Sequence, residues 1–170
     1  MAKTILDAVA ILKADHRKAE GLFTRFEASK GAVKKKMLAE QIRMELTVHT
    51  KIEEDIFYPV CEAAVEDDLL EEAYVEHDAA KVFIAEIKAG NPDDKFYGPK
   101  VKVMSEMIER HVEEEEKRAI GIFGQARKAG LDMHVLGKKM VAEKPLLIST
   151  YKSGSMLRPE TPTLTSTSLA

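Results

Sequence analysis

Four of the five histidines, His16, His49, His77 and His111, interrupt stripes of apolar residues at helical spacing, and two glutamates do the same. The first stripe reads Val9, Leu12, His16, Ala19, Phe23, and the second Ile42, Leu46, His49, Glu53, Ile56, Val60. The third reads Leu70, Ala73, His77, Ala80, Ile84, and the fourth Met104, Ile108, His111, Glu115, Ala119, Ile122. Steps of three and four residues stay on one face of an α-helix, so each polar side chain is aimed where a core would lie. Burying such groups unpaired costs roughly several kcal/mol apiece, and a bound cation offsets that cost. Imidazole nitrogen and carboxylate oxygen suit Fe, Zn, Mn or Cu, and the absence of an inward thiolate argues against a Cys-ligated zinc.

The spacing also repeats. His16 precedes His49-x3-Glu53 by 33 residues, and His77 precedes His111-x3-Glu115 by 34. Two half-sites, each of two histidines and one glutamate, predict two metal ions with the glutamates as bridges and positions left open to an exogenous ligand. A histidine bonded to a backbone carbonyl explains one such interruption but not four. For Glu53 and Glu115 the competing account is a salt bridge across the core to Lys81 or Arg118. Glu116 is the reserve donor beside Glu115. Together with Glu54, Glu113 and Glu114 it otherwise reads as a solvated face. Tyr58, nine residues after His49, falls on the far side of a regular helix unless Pro59 distorts the turn. His134 lies beyond the repeat and reads as a surface residue, and Cys61 as a small half-buried apolar one.

The elements that must position these residues are all helical, with no period-two alternation in the first 145 residues. The pattern predicts helices over Thr4–Ala28, over Val33–Ala64 with a bend at Pro59, over Glu66–Ala89, and from Asp94 or Pro99 to Lys128. Short connections make these an antiparallel up-down-up-down four-helix bundle. Residues 1–130 are assigned to the bundle, 131–144 to a short extra helix, and 145–170 to a Ser-, Thr- and Pro-rich tail expected to be disordered unless it docks on the bundle or on a second subunit, with Leu146-Leu147-Ile148 as the docking piece.

Composition narrows the partners. Charged residues make up 32% of the 170, with a net charge of -3 and both signs interleaved. No basic block is present to neutralise a run of phosphates, so no nucleic-acid partner is expected. No apolar run approaches the roughly 20 residues that span a bilayer. One cysteine excludes an intramolecular disulfide, and with no apolar leader the expected location is the cytoplasm.

Ala14-Asp15-His16, His49-Thr50-Lys51-Ile52-Glu53-Glu54-Asp55-Ile56-Phe57-Tyr58-Pro59, Glu76-His77-Asp78 and His111-Val112-Glu113-Glu114-Glu115 together resemble the hemerythrin-like family, also called HHE cation-binding domains, over about residues 10–125. The resemblance implies two non-haem iron ions held by His16, His49, Glu53, His77, His111 and Glu115. It also implies reaction with a small oxidant: dioxygen, hydrogen peroxide or nitric oxide. Family members are linked as well to iron handling and to repair of damaged iron centres. Oxygen-carrying hemerythrins place a histidine one turn after the third-helix ligand, where this chain has Lys81. They also use an aspartate five residues after the last histidine, where it has Glu116. Both departures point away from simple oxygen carriage and toward the stress-response branch. Catalase-like, peroxidase-like or nitric-oxide-reducing turnover would make the protein an enzyme, and stoichiometric binding a sensor or buffer. From other classes, a two-metal hydrolase and a metal-free helical interaction module are the alternatives, with the oligomeric state open.

Overall fold

The computed structural model describes residues 7–156 and 160–164; the start of the first predicted helix, Thr4 to Leu6, and residues 157–159 and 165–170 of the predicted tail lie outside them. Asp7 caps α1 (Ala8–Glu27), its carboxylate accepting the Ala10 N–H at 2.9 Å. Gly31, at φ 85°, turns the chain into α2 (Ala32–Ile52), a left-handed conformation that favours glycine. A π-helical turn, Glu53–Phe57, follows without a break and leads into the single turn α3 (Tyr58–Cys61). Next come α4 (Asp67–Ala89) and α5 (Tyr97–Glu116). α1 packs on α2, α2 on α4, α4 on α5 and α5 back on α1, which closes a four-helix ring.

Three departures from the expected elements matter to the site. The helix expected to end near Ala64 passes through a π-turn, because Pro59 has no N–H and its ring would clash with the Asp55 carbonyl in a regular α-helix. Val60, read as inward, is consequently exposed. The fourth helix stops at Glu116 and restarts as α6 (Ile122–Lys128); Ala119 in the intervening turn has φ 63° and is exposed rather than inward. The helix expected to finish near Glu143 is α7 (Met133–Lys152), running through Pro145, with Leu147 buried and Leu146 exposed. Asp132 caps it, accepting the N–H groups of His134 and Val135.

α7 lies against α1, α2 and the π-turn. Apolar side chains form two clusters. One, with Leu12, Val48, Ile52, Phe57 and Phe123, is sealed by Leu136 and Met140 of α7. The other holds Phe23, Leu38, Ile42, Ile84, Met104 and Ile108. The histidine level falls between them.

Candidate metal centre

All six candidate donors are buried and converge. His16 and His49 face each other with Nε2 atoms 3.0 Å apart, and His77 and His111 do so at 3.3 Å. Each glutamate lies between the pairs. Glu53 Oε2 is 3.0 Å from His49 Nε2 and 3.3 Å from His77 Nε2, while Glu115 Oε2 is 3.3 Å from His16 Nε2 and 3.5 Å from His111 Nε2. The donor atoms fall into two groups, one of His16, His49, Glu53 and Glu115 and one of Glu53, His77 and His111, each within 4.8 Å. The cations suggested as partners for the glutamates are elsewhere: Lys81 bonds Glu54 and Asp78, and Arg118 is exposed. His134 is exposed, away from the cluster.

Tyr58 joins the cluster, against the expectation that it points away. Its hydroxyl donates to Glu115 Oε1 at 2.8 Å and lies 3.3 Å from His77 Nε2 and 3.5 Å from Glu53 Oε2. The π-turn is the cause. The Tyr58 N–H bonds the Glu53 carbonyl, so residue i+5 takes the place that i+4 holds in an α-helix. Tyr58 therefore sits over Glu53 much as Glu53 sits over His49. The Pro59 ring clash was the one available signal. Tyr58 also stacks on His77, 5.3 Å between centroids, as Phe123 stacks on His16 at 5.8 Å.

The other nitrogen of every histidine faces a carboxylate that the stripes did not single out for that role. His16 Nδ1 meets Glu116 at 2.8 Å, His77 Nδ1 meets Glu54 at 3.1 Å, His111 Nδ1 meets Glu76 at 2.8 Å, and His49 Nδ1 faces Asp15 at 3.8 Å. Each carboxylate in turn holds a cation: Arg17 and Lys13 on Glu116, Lys81 on Glu54, Arg110 on Glu76, and Lys144 on Asp15. Glu54 and Glu116 thus orient histidines rather than forming a solvated face, whereas Glu113 is exposed. Such carboxylates fix the ring and present the opposite nitrogen to a metal.

The family model described as the hemerythrin HHE cation-binding domain matches residues 7–122. The chain belongs to this family. A solved structure, of a hemerythrin HHE cation-binding domain-containing protein from Mycobacterium kansasii, matches with a TM-score of 0.75 at 20% identity, covering 93% of this chain and 99% of that one. At that identity the likeness speaks for the fold. A protein named DNA nickase from Nostoc sp. PCC 7120 is 28% identical over 106 residues, 62% of this chain but 30% of that protein's length.

The HHE domain binds metal cations, and the donors present here fit one. The Nε2 atoms of each histidine pair face each other across about 3 Å, with the carboxylates of Glu53 and Glu115 beside them. Glu53 Oε1 and Glu115 Oε2 are buried without hydrogen-bond partners. A cation among these groups would give the orphaned oxygens a partner, with His49 releasing its proton as it binds. The electrostatics agree. Burial alone would lower the His49 pKa, but the carboxylates of Glu53, Asp15 and Glu115 push it up to about 10. Burial works against ionised Glu53, yet His49 and His77 hold it well below the usual carboxylate range. Burial, with Glu115 and Glu53, keeps the Tyr58 phenol protonated well above its ordinary value. Beside the HHE histidines is a small cavity of about 10 Å³ lined by all four of them with Glu45, Leu46 and Ile108, room for about one water-sized ligand.

Proposed function

We propose that this HHE domain holds two iron ions, one at His16 and His49 and one at His77 and His111, with Glu53 and Glu115 as shared carboxylates, and that it engages a small oxidant. The observation that supports the reading is the position of each glutamate oxygen between the two histidine pairs, which suits two half-sites better than one. Iron bound there supplies redox chemistry and coordination positions for dioxygen, hydrogen peroxide or nitric oxide. The histidines fix the donor geometry through their Nδ1 carboxylates, and Glu53 and Glu115 balance charge. Tyr58 keeps its proton and offers a neutral O–H at the edge of the cluster. The apolar clusters on either side limit water.

The small cavity beside the histidines suits a diatomic or peroxide ligand, which favours a small oxidant over the hydrolytic alternative. Among the described residues no helix is long and apolar enough to cross a membrane. The free, buried Cys61 fits the reducing cytoplasm we assign to the protein.

The test is elemental analysis of protein reconstituted with iron(II), with visible absorption recorded before and after peroxide or nitric oxide. The expected result is two irons per chain and a ferric spectrum that responds to at least one reagent. Protein that retains no iron, or a single ion, overturns the reading.

A further inference from the structure

Two of the four histidine supports end on residues beyond the matched region 7–122. Lys144 of α7 reaches Asp15 Oδ1, and Asp15 Oδ2 faces His49 Nδ1 at 3.8 Å, an ion-pair distance rather than a hydrogen bond. At the other point, Asp78 Oδ2 accepts both the Thr163 N–H at 2.8 Å and the Thr163 hydroxyl at 2.6 Å. Asp78 Oδ1 holds Lys81 Nζ at 2.8 Å, Lys81 holds Glu54 Oε1 at 2.8 Å, and Glu54 Oε1 meets His77 Nδ1 at 3.1 Å. The two histidines served in this way, His49 and His77, are the two that flank Glu53 Oε2. The pair flanking Glu115, His16 and His111, is supported by residues of α1 and α5 themselves, Lys13, Arg17 and Arg110, through Glu116 and Glu76.

We infer that α7 and the segment 160–164 form the outer support of the Glu53 side of the metal centre, with Lys144 positioning His49 through Asp15 and Thr163 positioning His77 through Asp78, Lys81 and Glu54. The inference rests on the six donors being metal ligands, as proposed above. Both contacts are built rather than incidental. Met140 and Leu147, buried on the face of α7 that carries Lys144, fix that helix against the bundle. Thr161-Pro162-Thr163-Leu164 forms a turn closed by Leu164 N–H to Thr161 O at 3.1 Å, with proline at the position that pre-sets it. That turn delivers the N–H and O–H of one residue to one carboxylate oxygen. Asp15 and Asp78 are each more than nine-tenths buried. Neither reaches bulk water to replace a lost partner, so loss of Lys144 or Thr163 is felt at the histidine.

The test loads the full chain and its variants with cobalt(II), whose visible bands report donor geometry, and follows its loss to excess chelator. Lys144→Met is expected to release cobalt about 10–100-fold faster than the parent, the effect typical of an outer support, with altered bands. Thr163→Val, which keeps the backbone N–H, shifts both in the same direction by less. Lys144→Arg and Thr163→Ser restore parental behaviour, and Lys139→Met on the exposed face of α7 changes nothing. Parental release and parental bands in Lys144→Met and Thr163→Val overturn the inference while leaving the two-metal reading intact. A parent chain that takes up no cobalt or iron overturns that reading and the inference together. Should Lys144→Met fail to fold, Thr163→Val decides, since its contact lies outside the helical ring.

Discussion

Replacing Tyr58 by phenylalanine removes one oxygen atom and leaves the ring stacked on His77. That oxygen donates to Glu115 Oε1 at 2.8 Å. Glu115 is 1% exposed and its Oε2 has no hydrogen-bond partner, so the substitution strips the buried carboxylate of a strong hydrogen bond. Hydrogen bonds to charged groups contribute about 1.5–3 kcal/mol net. For a chain of this size each kcal/mol moves the melting temperature by about 2–4 °C. Tyr58→Phe should therefore melt roughly 3–12 °C below the parent, measured by far-ultraviolet circular dichroism on chelator-treated protein. Tyr74→Phe is the control for losing a phenol hydroxyl, since Tyr74 packs edge-on against Tyr58 outside the donor cluster. A Tyr58→Phe protein that melts with the parent would refute the phenol–carboxylate contact. It would also refute the argument that the π-turn swings residue 58 inward.

Glu53→Gln removes a donor that both histidine pairs share and should leave the protein with fewer than two metals after reconstitution, by elemental analysis. Glu54→Gln weakens the support of His77 alone and should retain both, at about 10–100-fold lower affinity in chelator competition. His49 is raised from 6.5 to about 10 by the carboxylates around it, so its stabilisation is fully present below about pH 6.5 and is lost as pH rises through about 10. Glu53 is lowered below 4.5, and its contribution is present above that value and lost as pH falls further. Denaturation midpoints measured against pH should decline at both ends. Metal added to weakly buffered protein near pH 8 should release protons, as a pH indicator reads, because His49 must give up its proton to bind. Gly121→Ala places a Cβ 2.4 Å from the Glu114 carbonyl oxygen and 2.6 Å from that of Glu115. It should cost about 1–3 kcal/mol in urea unfolding and impair metal retention, whereas Gly98→Ala meets nothing within 4 Å and should stabilise by about 0.4–1 kcal/mol.

The stripes made the bundle and the six converging side chains legible because helical periodicity and burial are both local: a histidine at an apolar position declares itself whatever its neighbours do. Residues 58 and 117–121 were harder. Tyr58 points inward only because one residue is added to the turn before it, and residue counting at 100° per step puts it on the far side. The break after Glu116 leaves no proline to announce it, and Ala119 at φ 63° is a conformation that alanine rarely signals in sequence. Pro145 looked like a terminator, yet α7 continues past it, held by Leu147 on the bundle. The carboxylates that orient the histidines were hidden for another reason. Sequence places Glu54 and Glu116 off the inward stripe, which is correct, and only tertiary structure tells an off-stripe residue facing water from one facing the next helix.

That last point explains an order in the supports. α1 supplies Asp15 to His49 on α2; the π-turn after α2 supplies Glu54 to His77 on α4; α4 supplies Glu76 to His111 on α5; and α5 supplies Glu116 to His16 on α1. Each element serves the next one round the ring. Sequence neighbours on a helix point about 100° apart, so an acid beside an inward donor faces an adjacent helix and meets that helix's histidine, not its own. The side on which it stands alternates: Asp15 and Glu76 precede the inward His16 and His77, whereas Glu54 and Glu116 follow the inward Glu53 and Glu115. Antiparallel neighbours require this alternation, because one rotational sense round the bundle runs forward along an ascending helix and backward along a descending one. A sequence that placed all four acids on the same side of their donors would leave half of these histidines without a carboxylate in an up-down-up-down bundle.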